Sequence, residues 1–336
     1  MNEPINIPGA PDIPGLVFRH FRGEADYPSM VALINACKVA DEVERTISVE
    51  DIDRTYRHLE NCEPRNDMLF TEMNGEVIAY GRVWWDDLSD GIRLFHPYGF
   101  LHPAWRGKGI GSAMWAAGEE RCRQIAAGQL KEIVKSIQVD PFETEKALVS
   151  LLQRNGYLPA RYEAHMVRDL GESFPEAPLP TGLEVRPVKP EHIRPIFIAS
   201  NEAFRDHWGV RDESEEEYKS QLEDPIFHPE LWKVAWDGDQ IASVVHNFID
   251  QKENEEYLRK RGYTEGICTR RPWRKLGLAR ALLVQSMKMF KEMGMTETAL
   301  GADSQNISGA VRLYESVGYC KVKMQIVYRK ALVQAG

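Results

Sequence analysis

The stretch RRPWRKLGLARALL, residues 270–283, sets four cationic side chains before a small-residue turn that runs into an apolar helix pattern. An echo stands far upstream as HPAWRGKGIGSAMW, residues 102–115. Both fit Arg-x-x-Gly-x-Gly/Ala, with Arg106, Gly109 and Gly111 in one and Arg274, Gly277 and Ala279 in the other. Free backbone N–H groups at a helix start, with the helix dipole behind them, make a site for a phosphate or pyrophosphate. Small residues are needed there because a larger side chain holds the ligand away from the amides. Alone, either match also describes a capped helix with surface arginines. The pair, each after a strand pattern and before an apolar helix, favours an anion cradle built twice. A P-loop is excluded by the absent Gly-Lys-Ser/Thr ending, and neither copy has the three glycines of a dinucleotide-binding turn.

The flanks repeat in the same order. DMLFTEMNGEVIAYGRVWW, residues 67–85, reads as two strands around Asn74-Gly75, and LWKVAWDGDQIASVVHNF, residues 231–248, as two around Asp237-Gly238. Another strand follows each hairpin, as RLFHPYGFLH (93–102) and YTEGICTR (263–270). The loop and helix come next, and Leu283, Met287 and Phe290 form one apolar stripe that stops near Gly294. Strands EIVKSIQV (132–139) and ETALGAD (297–303) and short helices ending at Gly156-Tyr157 and Gly318-Tyr319 complete the two halves. Between them GESFPEAPLPTG, residues 171–182, carries three prolines and no periodicity, which predicts a linker. The expected organisation is residues 1–170, a linker at 171–182, and residues 183–336, each half an α/β domain with a mixed central sheet.

Composition narrows the function. The 336 residues suffice for two cores, and a net charge of −9 disfavours a nucleic-acid partner. The five cysteines, Cys37, Cys62, Cys122, Cys268 and Cys320, are scattered and odd in number, so neither a disulfide framework nor a metal site is expected. A cytoplasmic setting fits them, and the first fifteen residues lack the basic and apolar regions of a signal peptide. No apolar run reaches the roughly 18 residues of a membrane span.

On these loops and their repeated flanks, the chain resembles the Gcn5-related N-acetyltransferase (GNAT) superfamily, as a tandem member. The resemblance implies two domains with mostly antiparallel sheets flanked by helices, acetyl-CoA as acyl donor, no metal, and an amine acceptor. It implies that Arg274, Lys275, Leu276, Gly277, Leu278 and Ala279 cradle the pyrophosphate of acetyl-CoA. Arg106, Gly107, Lys108, Gly109, Ile110 and Gly111 are their counterparts in the first domain. The later segment NISGAVRLYESVGY matches the family at Asn306, Ala310, Tyr314, Gly318 and Tyr319. Tyr314, with an ordinary phenol pKa of about 10, stays protonated at neutral pH and is the implied acid for the departing thiolate. It also lies on an apolar stripe with Ala310, Leu313 and Val317, the pattern of a core residue.

Glu265, on the strand before the second loop, is the candidate base, or else a solvated strand-end carboxylate. Cys268 is a nucleophile in a two-step route or a buried strand cysteine. His207, Trp208 and His246 stand where the acceptor is expected or are simply packed side chains. In the first half Leu152 falls opposite Tyr314, and FHPYGF holds no glutamate. Catalysis is therefore expected in the C-terminal domain, on a small-molecule amine, with the first domain degenerate. The alternatives are a non-catalytic acyl-CoA-binding or regulatory protein, and an acetyltransferase for a protein or peptide amine. Oligomeric state is not readable.

Overall fold

The computed structural model describes residues 4–129, 133–211, 213–305 and 309–332. Along the chain run β1 (Leu16–Arg19), α1 (Tyr27–Ala40), α2 (Val49–Arg57), α3 (Pro64–Asp67), β2 (Met68–Met73), β3 (Glu76–Asp87) and β4 (Ile92–Leu101). After the first loop come α4 (Ile110–Ala127), β5 (Val134–Val139), α5 (Lys146–Arg154) and β6 (Leu158–Asp169). The second half gives β7 (Glu184–Arg186), α6 (Pro190–Phe204), α7 (Glu215–Leu222), β8 (Lys233–Asp237), β9 (Gln240–Phe248), α8 (Gln251–Glu256) and β10 (Arg261–Thr269). It ends in α9 (Leu278–Glu292), β11 (Glu297–Asp303), α10 (Ala310–Ser316) and β12 (Cys320–Ala331). No helix among the described residues is long and apolar enough to cross a membrane.

The hairpin, strand, loop, helix, strand, helix order is present in both halves, and the architecture is α/β. Asn74 and Gly75 both take positive φ, 50° and 89°, which gives the turn a twist that matches its strands. The chain forms two units, Met1–Ala160 with Ile326–Gly336, and Arg161–Gln325. The first contains strands in the order β1-β2-β3-β4-β5-β12, the second β6-β11-β10-β9-β8-β7. In each sheet one pair is parallel, β4 with β5 and β10 with β11. A parallel pair needs a crossover, supplied by the helix that follows the glycine loop.

The units do not divide at residues 171–182. Residues 161–170 belong to the second unit, where β6 pairs with β11 from Asp169↔Glu297 to Glu163↔Asp303. The end of β12 belongs to the first, paired with β5 from Tyr328↔Val139 to Ala331↔Ser136. Each sheet thus takes a closing strand from the other half of the sequence. The 171–182 stretch has no helix or strand, as its prolines imply, but Phe174, Ala177 and Leu179 pack onto the second unit's core. Its composition marks irregular backbone, not a break in packing.

The stripe on α9 does what its period requires. Leu283, Met287 and Phe290 are fully buried against Met166 of β6, Leu300 of β11, and Tyr314, Val317 and Tyr319. Burying each such side chain contributes about 1.5–3 kcal/mol. Gly262 on β10 lets that packing close, because a Cβ there would stand 2.5–2.7 Å from Phe290 ring atoms. A Gly262→Ala substitution should therefore destabilise the second unit by about 1–3 kcal/mol through overpacking. Urea denaturation followed by far-UV circular dichroism would measure it, and an unchanged midpoint would mean that the ring is free to move.

Candidate active site

β10 begins beside β11 and then leaves it. Their parallel register runs only from Arg261↔Glu297 to Tyr263↔Ala299. On its other edge β10 stays with β9, but the register shifts between Glu265↔His246 and Cys268↔Val244. Gly266 and Ile267 there oppose one residue of β9, a bulge that turns the strand and increases its twist. Gly266 sits at φ 56°, and a Cβ on it would fall 2.6 Å from His246 Nδ1, so the bulge requires glycine.

Glu265 stands where the two strands part. Its Oε1 accepts the N–H of Gly301 from β11 at 2.9 Å, a bond that spans the opening split. Burial pushes its carboxyl up to about 8; the neighbouring Glu163 charge adds to the rise and the Gly301 N–H opposes it. In the free protein at neutral pH the group is therefore mostly protonated, and a bound cation would draw it back towards carboxylate. Sequence reading had no access to Glu163. It lies on β6, in the half assigned to the other domain, and arrives beside Glu265 only through the strand exchange.

Tyr314, on α10, is 7% exposed and lies within electrostatic reach of Glu265, Tyr319 and Cys268. Burial is the main reason that its phenol is held above the ordinary value, so it remains a proton donor throughout the physiological range. Core residue and candidate acid are one and the same position. Tyr319 Oη is fixed by Thr264 Oγ1 at 2.7 Å. Burial pushes the Cys268 thiol up to about 11, and its Sγ lies 3.8 Å from Ser200 Oγ. A thiol held protonated at neutral pH is a poor nucleophile, which leaves the buried-cysteine reading.

His246 faces Glu265 across the β9–β10 ladder, stacks on Trp232 with ring centres 4.3 Å apart, and approaches Ser200 Oγ at 3.5 Å. Burial alone pushes it down to about 4, so it is neutral at physiological pH. His207 and Trp208 fall elsewhere. His207 packs on Phe204 and senses Arg274 and Asp303, while Trp208, 39% exposed, lies under Arg161 at 5.0 Å. His246 is thus grouped with Glu265, whereas His207 and Trp208 sit by the loop arginine and the end of β11. Asn306 lies outside the described residues.

The two glycine loops share one backbone shape. Gly109 and Gly277 are the N-caps of α4 and α9, both left-handed at φ 85°, with no side chain capping the first turn. Two residues earlier Gly107 and Lys275 also have positive φ, 76° and 64°. Lysine in that region costs about 1–2 kcal/mol, so the second loop holds by constraint what the first obtains from glycine. The side chains of Leu276 and Lys108 do not enter the helix start: Leu276 is 53% exposed and Lys108 lies over Trp105 at 4.3 Å. Ile110 and Leu278 are buried at the first helical positions, and Gly111 and Ala279 add no bulk. What both loops offer an anion is an uncapped helix N-terminus.

The cationic look of the opening stretch is largely cancelled on folding. Arg274 donates to Thr269 O and Ala203 O at 3.0 Å and to Asp206 at 2.6 Å. Arg271 also pairs with Asp206, and Arg270 with Glu202 at 2.8 Å. Arg106 is held the same way, by Leu101 O and both carboxylate oxygens of Asp41 at 2.6 and 2.7 Å. Both loop arginines therefore tie the turn to the end of the helix that opens their half.

The first unit keeps the loop and changes the chemistry. Pro97 stands nine residues before Arg106, as Glu265 stands nine before Arg274. Leu152, fully buried, occupies the place of Tyr314. The β4–β5 register still ends early, at Phe95↔Ile137, just before a proline with no N–H for a ladder. A cavity of about 1140 Å³ opens in this unit, lined by Gly107, Gly109 and Gly111 at one part and by Arg82, Tyr98 and Phe100 at another. This cavity and the Glu265–Tyr314 neighbourhood thus lie in different halves.

A model of the acetyltransferase (GNAT) family matches residues 31–157 and again 195–319. The chain is 27% identical over 319 residues to the mycothiol acetyltransferase of Geodermatophilus obscurus, covering 91% of this chain and 95% of that protein. It is 27% identical over 236 residues to the one of Thermobispora bispora, covering 68% and 74%. Among solved structures, a GCN5-related N-acetyltransferase from Sphaerobacter thermophilus superposes with a TM-score of 0.73 at 25% identity, over 96% of this chain and 98% of that one. A tandem GNAT protein from the clavulanic acid biosynthesis pathway shares the fold, with a TM-score of 0.67 at 13% identity over 96% and 100%. With the family matched once in each half and both loops at uncapped helix starts, the chain belongs to the GNAT acetyltransferases, as a member with two such domains in tandem.

Proposed function

We propose that the protein transfers an acetyl group from acetyl-CoA to a primary amine of a small molecule, and that the reaction takes place in the second unit. The observation that carries this is the proximity of Glu265, where strands β10 and β11 part, to Tyr314, in the unit whose glycine loop leads into an uncapped helix start. The curated relatives are named for mycothiol, a small molecule, which supports an acceptor of that size.

In the reaction as proposed, the pyrophosphate of acetyl-CoA rests on the amides at Gly277, Leu278 and Ala279. The thioester reaches the split between β10 and β11, where backbone amides of β10 polarise its carbonyl. Glu265, as carboxylate, takes a proton from the acceptor ammonium, because only the neutral amine has a lone pair for attack. The N–C bond forms as the C–S bond breaks, Tyr314 gives its proton to the departing sulfur, and the proton left on the new amide nitrogen restores the Tyr314 phenol. A carboxylate with its pKa raised by burial is a stronger base than an exposed one, which suits removal of a proton from an ammonium ion. The first unit, with Pro97 and Leu152 at the corresponding places, binds an acyl-CoA on its own loop and does not transfer the acyl group.

Release of free thiol from acetyl-CoA across a panel of small amines tests the activity. Binding without turnover over a broad panel would favour a regulatory acyl-CoA-binding protein instead. A Glu265→Gln variant should lose about 10²–10⁴-fold in kcat. Wild-type kcat/KM should rise with pH and level above about 8, as Glu265 ionises, and the variant should lack that limb. The same shift runs against stability. Between its unfolded pKa of about 4.3 and about 8 the folded state holds a proton that the unfolded state has released, so folding weakens as pH rises through that window. Glu265→Gln should therefore melt higher than wild type at pH values near 9, and a lower melting temperature there would contradict the buried-acid assignment.

The two loops make the units separable. Gly277→Glu places a side chain and a negative charge at a left-handed N-cap, and should abolish turnover, whereas Gly109→Glu should leave much of it. Steady-state kinetics on the two variants decide the matter, and the reverse pattern would move the reaction to the first unit.

A further inference from the structure

We propose that the first unit carries a binding site for a small carboxylic acid with a planar apolar body, centred on Arg82. β3 and β4 pair without a bulge here, placing Arg82 opposite Tyr98, Trp84 opposite His96 and Tyr80 opposite Phe100. Alternate residues share a sheet face, so these six side chains form one surface. Its rings meet edge to face or stacked: Trp84 with His96 at 5.1 Å, Trp84 with Tyr98 at 6.1 Å, and Tyr98 with Phe100 at 5.1 Å.

The arginine in this surface combines ring contacts with the lack of a carboxylate partner among the described residues. Its guanidinium carbon lies 4.8 Å from the Trp84 ring and 5.3 Å from the Tyr56 ring, beside the Tyr56 hydroxyl. Its Nε is buried and donates to no acceptor, and among the described residues no carboxylate pairs with it. Arg106 and Arg274, by contrast, are each engaged by an aspartate. A guanidinium flanked by rings presents a planar fork whose natural complement is a carboxylate held by two parallel N–H···O bonds. The surrounding ring faces suit a flat apolar group attached to that carboxylate.

Arg82, Tyr98 and Phe100 line the cavity of about 1140 Å³, and Tyr98 is 38% exposed within it. The acidic groups on that lining do not compete for Arg82. Asp41 pairs with Arg106, Asp67 with Arg121 and Glu120 with Arg123, and Glu145 accepts the N–H of Phe142 while burial pushes its carboxyl up. Nor is the arginine a repeated structural part. Tyr98 stands eight residues before Arg106, as Gly266 does before Arg274, and the residue opposite the bulge at Gly266 is the buried Val245. The site belongs to the first unit alone and does not depend on where acetyl transfer occurs.

The test is isothermal titration of the full chain with phenylacetate, using phenylacetamide as the uncharged isostere. Phenylacetate should bind with a Kd below about 1 mM, and the amide at least about tenfold more weakly. Arg82→Gln should remove that preference while melting temperature and the turnover of the second unit stay as in wild type. Arg82→Lys, which keeps the charge without the fork, should retain the preference with weaker affinity, and it serves if the glutamine variant folds poorly. Equal binding of acid and amide, unchanged affinity in Arg82→Gln, or no binding of phenylacetate at about 10 mM would each overturn the proposal.

Discussion

Everything at the candidate site depends on β10 being unable to stay with β11. Two parallel strands that remained paired would consume their facing N–H and C=O groups on each other and leave no opening between them. The bulge at Gly266 lengthens β10 against β9 and turns it out of register, and the parallel ladder ends at Tyr263. The opening exposes strand backbone in the middle of a sheet, where it is otherwise inaccessible. It also places Glu265 at the point of divergence, with one hydrogen bond to Gly301 across the split. The raised pKa of that glutamate belongs to the same place, since its carboxyl is buried there and β6, paired with β11, carries the Glu163 charge that acts on it.

The two halves show how one scaffold is retained while its chemistry is changed. Both keep the left-handed glycine at the helix start and the arginine clamp onto the helix that opens the half. These are requirements of the loop's shape, and they hold with or without catalysis. The difference lies in single positions on the strand and in the last helix: Pro97 for Glu265, Leu152 for Tyr314, Tyr98 for Gly266. With Tyr98 in place of the bulge glycine the β3–β4 ladder runs on regularly, and its face fills with aromatic rings around Arg82. The half without counterparts of Glu265 and Tyr314 thus carries an aromatic surface around Arg82.

Much of this was legible in the sequence, for reasons that can be stated. The hairpin at Asn74-Gly75, the stripe Leu283, Met287 and Phe290, and the two glycine loops are local patterns, fixed by turn geometry and by helical period. Burial of Tyr314 followed from the same period. The rest was hidden because it depends on contacts far apart in the chain. The exchange of β6 and β12 between sheets leaves no local mark, and with it went Glu163. The basic stretch at residues 270–275 reads as a cationic patch until Glu202 and Asp206, some 65 residues away, are found bonded to it. Gly266 does leave a local mark, since an isolated glycine in a strand pattern is a recognised sign of a bulge.

The central claim is that the acyl group is transferred between β10 and β11. A crystal structure of the full chain with acetyl-CoA would test it most directly. The expected result places the pyrophosphate on the amides that follow Gly277 and the thioester sulfur about 3–3.5 Å from Tyr314 Oη, with the acetyl group in the split beside Glu265. An acetyl-CoA bound in the first unit alone, or a thioester seated away from Tyr314 and Glu265, would contradict it.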